Sequence, residues 1–194
     1  SMKIGYSSSY PYGYTYISAT PFNWLEASYK YTELKNLLYG PSNFSGNQSL
    51  KDKGFDLKIK LFNESYYFPE LSIGWNDLAG TGRFAAEYIA ASKQIYDLDF
   101  TVGIAWGALG QDKNISNPFI DFHEDFKNRD SDQGQGGSFN YKSWFSGEEV
   151  SIYSGVEYYL WRYGVVLKLE YDTSNPDIGF SGPILEVDSR FNIG

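Results

Sequence analysis

The residue best suited to chemistry is His123, the one histidine of the 194-residue chain, set among acids in Asp121-Phe122-His123-Glu124-Asp125. A Ser-His-Asp hydrolase would have to use it as its base. No Gly-x-Ser-x-Gly elbow accompanies it. A lone histidine in a polar segment is more often solvated than catalytic, so the chain is read as a non-enzyme, with a hydrolase using His123 as an alternative. Asp130-Ser131-Asp132-Gln133-Gly134 opens like a calcium loop, but its twelfth position is Tyr141 rather than glutamate. The EF-hand pattern therefore fails, and a flexible acidic loop tip is the favoured reading. Cysteine is absent, which removes disulfides, thiol nucleophiles and zinc–thiolate sites. No metal or cofactor is expected. The same region is rich in rings, and Phe119, Phe122, Tyr141 and Trp144 are the candidates for stacking on sugar faces. The competing reading is that they pack on one another and close the loop.

The elements that position these residues are strands. Residues 55–62 read FDLKIKLF: Phe55, Leu57, Ile59 and Leu61 form an apolar face, and Asp56, Lys58 and Lys60 a charged one. Ten such period-2 segments are predicted, over 3–10, 13–20, 24–34, 54–62, 67–77, 82–94, 98–109, 149–160, 163–172 and 184–193. The long connections 35–53, 110–148 and 173–183 all follow odd-numbered segments. In an up-and-down meander they fall at one end, as in outer-membrane barrels with short turns at one end and long loops at the other. The expected fold is all-β, an up-and-down antiparallel transmembrane β-barrel of about ten strands forming a single domain over 1–194. Aromatics near strand ends (Tyr31, Phe55, Trp75, Trp106, Tyr158, Tyr171) suit interfacial girdles.

The face expected to look inward carries Lys3, Glu26, Lys30, Asp56, Lys58, Lys60, Glu70, Arg83, Glu87, Lys93, Glu157, Lys168, Glu170, Asp172, Glu186, Asp188 and Arg190. This mixture of signs suits a narrow lumen filled by ion pairs, which would pass no polymer. The formal net charge of −8 and the lack of a basic stripe argue against nucleic acid. No apolar run approaches the roughly 20 residues of a transmembrane helix. No signal peptide precedes the first strand, so any export leader is expected to have been removed.

Several longer stretches carry a resemblance: Tyr6-Ser7-Ser8-Ser9-Tyr10-Pro11-Tyr12-Gly13, Lys51-Asp52-Lys53-Gly54-Phe55-Asp56-Leu57-Lys58, Asn76-Asp77-Leu78-Ala79-Gly80-Thr81-Gly82, Glu87-Tyr88-Ile89-Ala90-Ala91-Ser92-Lys93, Asn114-Ile115-Ser116-Asn117-Pro118-Phe119, Gly155-Val156-Glu157-Tyr158 and Lys168-Leu169-Glu170-Tyr171-Asp172. In this order, from about residue 4 to 172, they resemble the YjbH family of Gram-negative envelope proteins. The resemblance implies an outer-membrane β-barrel linked to exopolysaccharide and capsule export, with this chain as the N-terminal part of a longer one. The ending Arg190-Phe191-Asn192-Ile193-Gly194 lacks the terminal aromatic of many complete barrels. The family offers no catalytic residues to carry over.

The function expected from the sequence is therefore a non-catalytic outer-membrane protein, a scaffold or part of an assembly for exopolysaccharide or capsule secretion. Its expected partners are outer-membrane lipid, polysaccharide and other envelope export proteins. The alternative to transport is a carbohydrate-binding β-domain using the loop aromatics.

Overall fold

The computed structural model describes residues 1–130, 139–174 and 189–194. The chain runs β1 (Met2–Ser9), β2 (Tyr12–Phe22), β3 (Leu25–Leu38), a single helical turn α1 (Ser42–Ser45), β4 (Ser49–Phe62), β5 (Glu70–Asn76), β6 (Ala86–Ile95), β7 (Leu98–Gly107), β8 (Ile115–Ser116), β9 (Glu149–Leu160), β10 (Val165–Tyr171) and β11 (Phe191–Ile193). All pairings are antiparallel between neighbours in one meander, β1-β2-β3-β4-β5-β6-β7-β9-β10-β11, and the two-residue β8 attaches to the start of β9. The all-β antiparallel expectation holds. Closure does not: among the described residues β1 pairs with β2 alone and β11 with β10 alone, so the sheet is open. It is nevertheless strongly curled. Ser9 and Tyr12 from its beginning line one cavity with Arg190 and Asn192 from its end.

Most strand boundaries follow the alternation, and the exceptions have local causes. β3 and β4 run past their predicted ends because Leu34 faces Leu50 across the pair, and the two close a small core with Tyr12. The predicted strand 67–77 shrinks to Glu70–Asn76, beginning just after Pro69, whose ring removes a ladder donor. The predicted 82–94 starts only at Ala86, because residues 77–85 fold inward instead. Phe84, from that segment, packs against the Tyr12–Leu34–Leu50 cluster.

Three cross-strand pairs repeat one device. Gly5 faces Tyr16, Gly74 faces Tyr88 and Gly103 faces Tyr153. In each, the tyrosine ring lies over the glycine, where a Cβ would come within 2.5 Å, 2.2 Å and 2.3 Å of ring or hydroxyl atoms. A ring covering its opposite glycine restores the side-chain contact that glycine lacks and pins the register. All three pairs sit on the cavity face, the parity shared with Thr101, Gly155 and Lys30.

Candidate functional site

Cross-strand register assigns each side chain to a face. The cavity face carries Glu26 opposite Lys58, Lys30 opposite Gly54, Lys60 opposite Ser72, and Glu157 opposite both Lys168 and Asp99. Asp56, Glu170, Asp172 and Arg190 line the cavities themselves. Their charges are largely paired: Lys30 Nζ lies 2.6 Å from Asp56, Lys60 lies 3.4 Å from Glu70, Lys168 binds Glu157, and Arg190 Nε lies 2.8 Å from Asp112. Ser18 adds a hydrogen bond to Glu26 at 3.2 Å. Glu186 and Asp188 lie outside the described residues.

Two residues of the expected inward set, Glu87 and Lys93, sit on the other face, and a third, Arg83, comes from a loop rather than a strand. Glu87 faces Trp75 and Trp106, on the parity of Ile73, Ile89 and Ile104, so it is on the outward face. Lys93 faces Phe100 on that same side and reaches back to Glu64 at 3.0 Å. Arg83 belongs to no strand and lies in the inward-folded 77–85 segment. The two charges of β6, Glu87 and Lys93, share a face with Ile89 and Ile95, while Ala86, Tyr88, Ala90, Ser92 and Gln94 make the other, so its alternation alone does not fix parity. The Tyr88–Gly74 contact does.

Glu87 is buried because the long β7–β9 connection folds over it. Arg129 clamps it with Nη1 to Oε2 at 2.6 Å and Nη2 to Oε1 at 3.1 Å, and the Phe145 N–H donates to Oε2 at 3.1 Å. The same guanidinium donates to the Ser143 carbonyl at 3.0 Å and the Ala85 carbonyl at 3.2 Å. Around this pair the rings interlock: Trp75 with Trp144 and Phe145, Trp106 with Phe119 and Phe145, and Phe119 with Phe126. Trp75 and Trp106 are thus covered by protein rather than exposed as girdle residues. Asn117, almost fully buried, ties the loop to itself. Its Nδ2 donates to the carbonyls of Phe126, Phe145 and Gly147, and its Oδ1 accepts from Phe119. A 3-10 turn over Pro118–Asp121 starts from it.

The packing divides the four candidate stacking rings. Phe119 and Trp144 are spent on the loop's own core, Phe122 meets Phe119 edge-on with centroids 6.3 Å apart while staying exposed, and Tyr141 is exposed. The four do not form one surface. His123 is solvent-exposed, and its Nδ1 accepts from the Asp125 N–H at 3.2 Å within its own short turn. The calcium-like stretch after Asp130 lies outside the described residues. Among the described residues no group of three histidine, cysteine or acid side chains is arranged to hold a metal.

The groups that do converge line the curled interior. One cavity of 450 Å³ opens among Tyr12, Tyr14, Asp52, Asp56, Asp77 and Arg190. A second, of 440 Å³, lies among Tyr88, Asp99, Tyr153, Glu157 and Glu170. Leu109 and Asp172 line both and stand between them. Leu109 is held there by its carbonyl, which accepts from the buried Thr173 hydroxyl at 2.8 Å. Asp77 has a left-handed φ of 55°. Its N–H donates to Asp56, and its Oδ2 accepts from the Phe84 N–H at 3.2 Å. Its Oδ1 is buried without a partner, in a niche that a Cβ on Gly80 or Gly54 would fill. Burial, and then the neighbouring Asp52 carboxylate, push the Asp77 carboxyl up to about 7. The Thr81 hydroxyl bonds Asp52 beside it. Asp52 and Asp77 were absent from the sequence-derived site. Asp52 precedes the predicted start of its strand, and Asp77 closes one.

The comparisons agree with the motifs. The family model YjbH, described as "Exopolysaccharide biosynthesis protein YbjH", matches residues 1–194. The chain belongs to the YjbH family. An Escherichia coli (strain K12) relative, "Uncharacterized lipoprotein YjbH", is 39% identical over all 194 residues. This YjbH-family chain spans 28% of that relative's length. No solved structure matches it. The YjbH motifs fall on working parts of the structure: Asn117 at the centre of the long loop, Asp77 with Gly80 in the inward segment, and Tyr88 over Gly74.

Proposed function

We propose that this chain is a membrane-embedded β-domain of the Gram-negative outer membrane, serving exopolysaccharide or capsule secretion as a scaffold or part of an export assembly, without bond-making chemistry. The observation that carries this reading is the outward face. Phe100, Val102, Ile152, Leu167 and Leu169 lie exposed there as an apolar band. Beyond it, every short connection at one end bears exposed rings: Phe22 and Trp24, then Tyr66, Tyr67 and Phe68, then Tyr96, then Trp161 and Tyr163. In water this band and collar would be an aggregation hazard. At a bilayer they are a hydrocarbon-facing belt and its interfacial girdle. Curling brings the two sheet edges to one lumen, and pairing of β1 with β11 would complete a barrel with no free edge. The lipoprotein designation of the E. coli relative supports an envelope location, and the exopolysaccharide designation of the family supports the pathway.

The test is the partition of the full-length protein. The proposal expects it in the outer-membrane fraction, resisting salt and carbonate extraction, with heat-dependent migration on gels from the β-domain. A full-length protein recovered folded in aqueous buffer without detergent overturns the reading. Because paired charges and Leu109 occupy the lumen, the protein in a planar bilayer is expected to show little steady conductance. Large, polymer-blockable conductance would make this domain itself the conduit.

A further inference from the structure

Resting on the exopolysaccharide reading above, the interior chambers say which kind of sugar the domain accepts. Each has the volume of a small-ligand site, within about 300–1,000 Å³. The first is walled on one side by Tyr12 and Tyr14, whose rings stand parallel with centroids 5.9 Å apart. Its other walls carry carboxylates, the Asn76 and Asn192 amides and the Thr32 hydroxyl. Such a set of aromatic wall and short, rigid donors and acceptors suits a ligand that presents an apolar ring face and hydroxyls around its rim.

Charge narrows the class. The cations of the first chamber are committed: Lys30 to Asp56, and Arg190 to Asp112 and the Ser174 carbonyl. Asp172 adds negative charge that those two cations do not neutralise, and Asp52 and Asp77 add two further acid side chains against one nearby cation, Arg83 beside Asp52. In the second chamber Asp99, Glu157, Glu170 and Asp172 line the wall, with Lys168 bound to Glu157. An anionic sugar would lose its hydration and meet like charge at both stations. We infer that the two chambers bind uncharged or amino-bearing saccharides and exclude uronate-containing ones. The acid-rich walls bond hydroxyl and ammonium donors, and the tyrosine wall receives the ring face.

The experiment is titration of the full-length protein, in a detergent without a sugar headgroup, with three probes: a neutral gluco-oligosaccharide, a chitosan oligomer and an oligogalacturonate. The inference expects saturable binding of at least one of the first two and roughly ten-fold or weaker binding of the third. Asp172→Asn, which removes a negative charge shared by both chambers, is expected to narrow that ratio. Because the ratio is read from folded molecules only, partial misfolding of the variant leaves it interpretable. Tyr14→Ala is expected to weaken the neutral probe without changing the ratio. Equal or tighter binding of the uronate, or an unchanged ratio in Asp172→Asn, overturns the inference. Binding of none of the probes also overturns it, while leaving the membrane reading to be judged by its own extraction test.

Discussion

Arg129 and Glu87, 42 residues apart in the chain, meet through two parallel hydrogen bonds of 2.6 Å and 3.1 Å beneath a roof of aromatic rings. The pair lies on the outward face of β6, where an unpaired carboxylate would be severely desolvated. It fixes the β7–β9 connection to the sheet at a point the backbone alone does not hold. Removing one partner, in Glu87→Ala or Arg129→Ala, strands the other and is expected to cost about 3–5 kcal/mol. The double variant Glu87→Leu/Arg129→Leu is expected to lose less than the sum of the two single losses. Limited proteolysis reads this directly. Single variants should be cut within 108–148 at protease levels that spare the parent, and equal resistance would show that the aromatic roof alone holds the loop.

The Tyr–Gly pairs make a second, independent claim on stability. A Cβ added to Gly74 would lie 2.2 Å from the Tyr88 ring, so Gly74→Ala must displace the ring or the strand. The expected loss is about 1–3 kcal/mol, as for other overpacked sites. In a Tyr88→Ala background the same substitution should cost little, because the obstructing ring is gone. Unfolding midpoints of the four proteins in a double-mutant cycle measure the coupling. Additive effects would show that the ring does not set this register.

How far these features were legible depends on the range of the interaction that creates them. FDLKIKLF fixes β4 because each neighbour in the pattern is two residues away, and the register confirms it, with Ile59 facing Leu25 and Ile73. β6 defeats the same reasoning. Its Glu87 looks like an inward charge until Arg129 supplies a partner from the far side of the long loop. Asn117 gives no local sign that it will gather carbonyls up to 30 residues away. The inward turn of 77–85 was likewise hidden. Its glycines read as an ordinary short connection, while the left-handed Asp77 and the burial of Phe84 against Tyr12, Leu34 and Leu50 emerge only when β2–β4 are assembled.

The two faces should differ in what they tolerate. Ile59 and Asp56 belong to one strand but opposite parities, the first among Leu25 and Ile73, the second paired with Lys30. With the outward face against hydrocarbon, Ile59→Lys is expected to lower stability by about 2–4 kcal/mol and to reduce assembly into membranes. Asp56→Asn keeps its shape inside the lumen and one acceptor oxygen for the Asp77 N–H, and the Lys30 ammonium it releases is one-third exposed to water, so it should cost less. Refolding yield into lipid vesicles, compared between the two, is the measurement. Equal yields would remove the argument for which face meets lipid.

The inward segment should respond to pH through Asp77. Its carboxyl is raised from the ordinary 3.8 to about 7, first by burial and then by the charge of Asp52, with Asp56 adding to it. Around it stand Asp52, Asp56 with its partner Lys30, and Arg83, which is close enough to Asp52 to act on it electrostatically. Between about pH 4 and pH 7 the folded protein holds a proton at Asp77 that the unfolded chain has released, so raising the pH through this interval favours unfolding. The stabilisation is complete below about pH 4, declines as the pH approaches 7, and is gone above it. Protonated, Oδ1 can donate. It lies near the Lys53 carbonyl, both within 2.5 Å of the point a Gly80 Cβ would occupy. Ionised, it is a second buried carboxylate beside Asp52 with one oxygen unpartnered. Asp77→Asn carries no titrating proton, and its amide can donate where the acid's hydroxyl did. Its unfolding midpoint is therefore expected to vary less between pH 5 and pH 8 than that of the parent, with the parent falling relative to it as the pH rises. Parallel pH profiles for the two proteins would show that Asp77 is ionised throughout that range and that its hold on the 77–85 segment comes from its backbone hydrogen bonds alone.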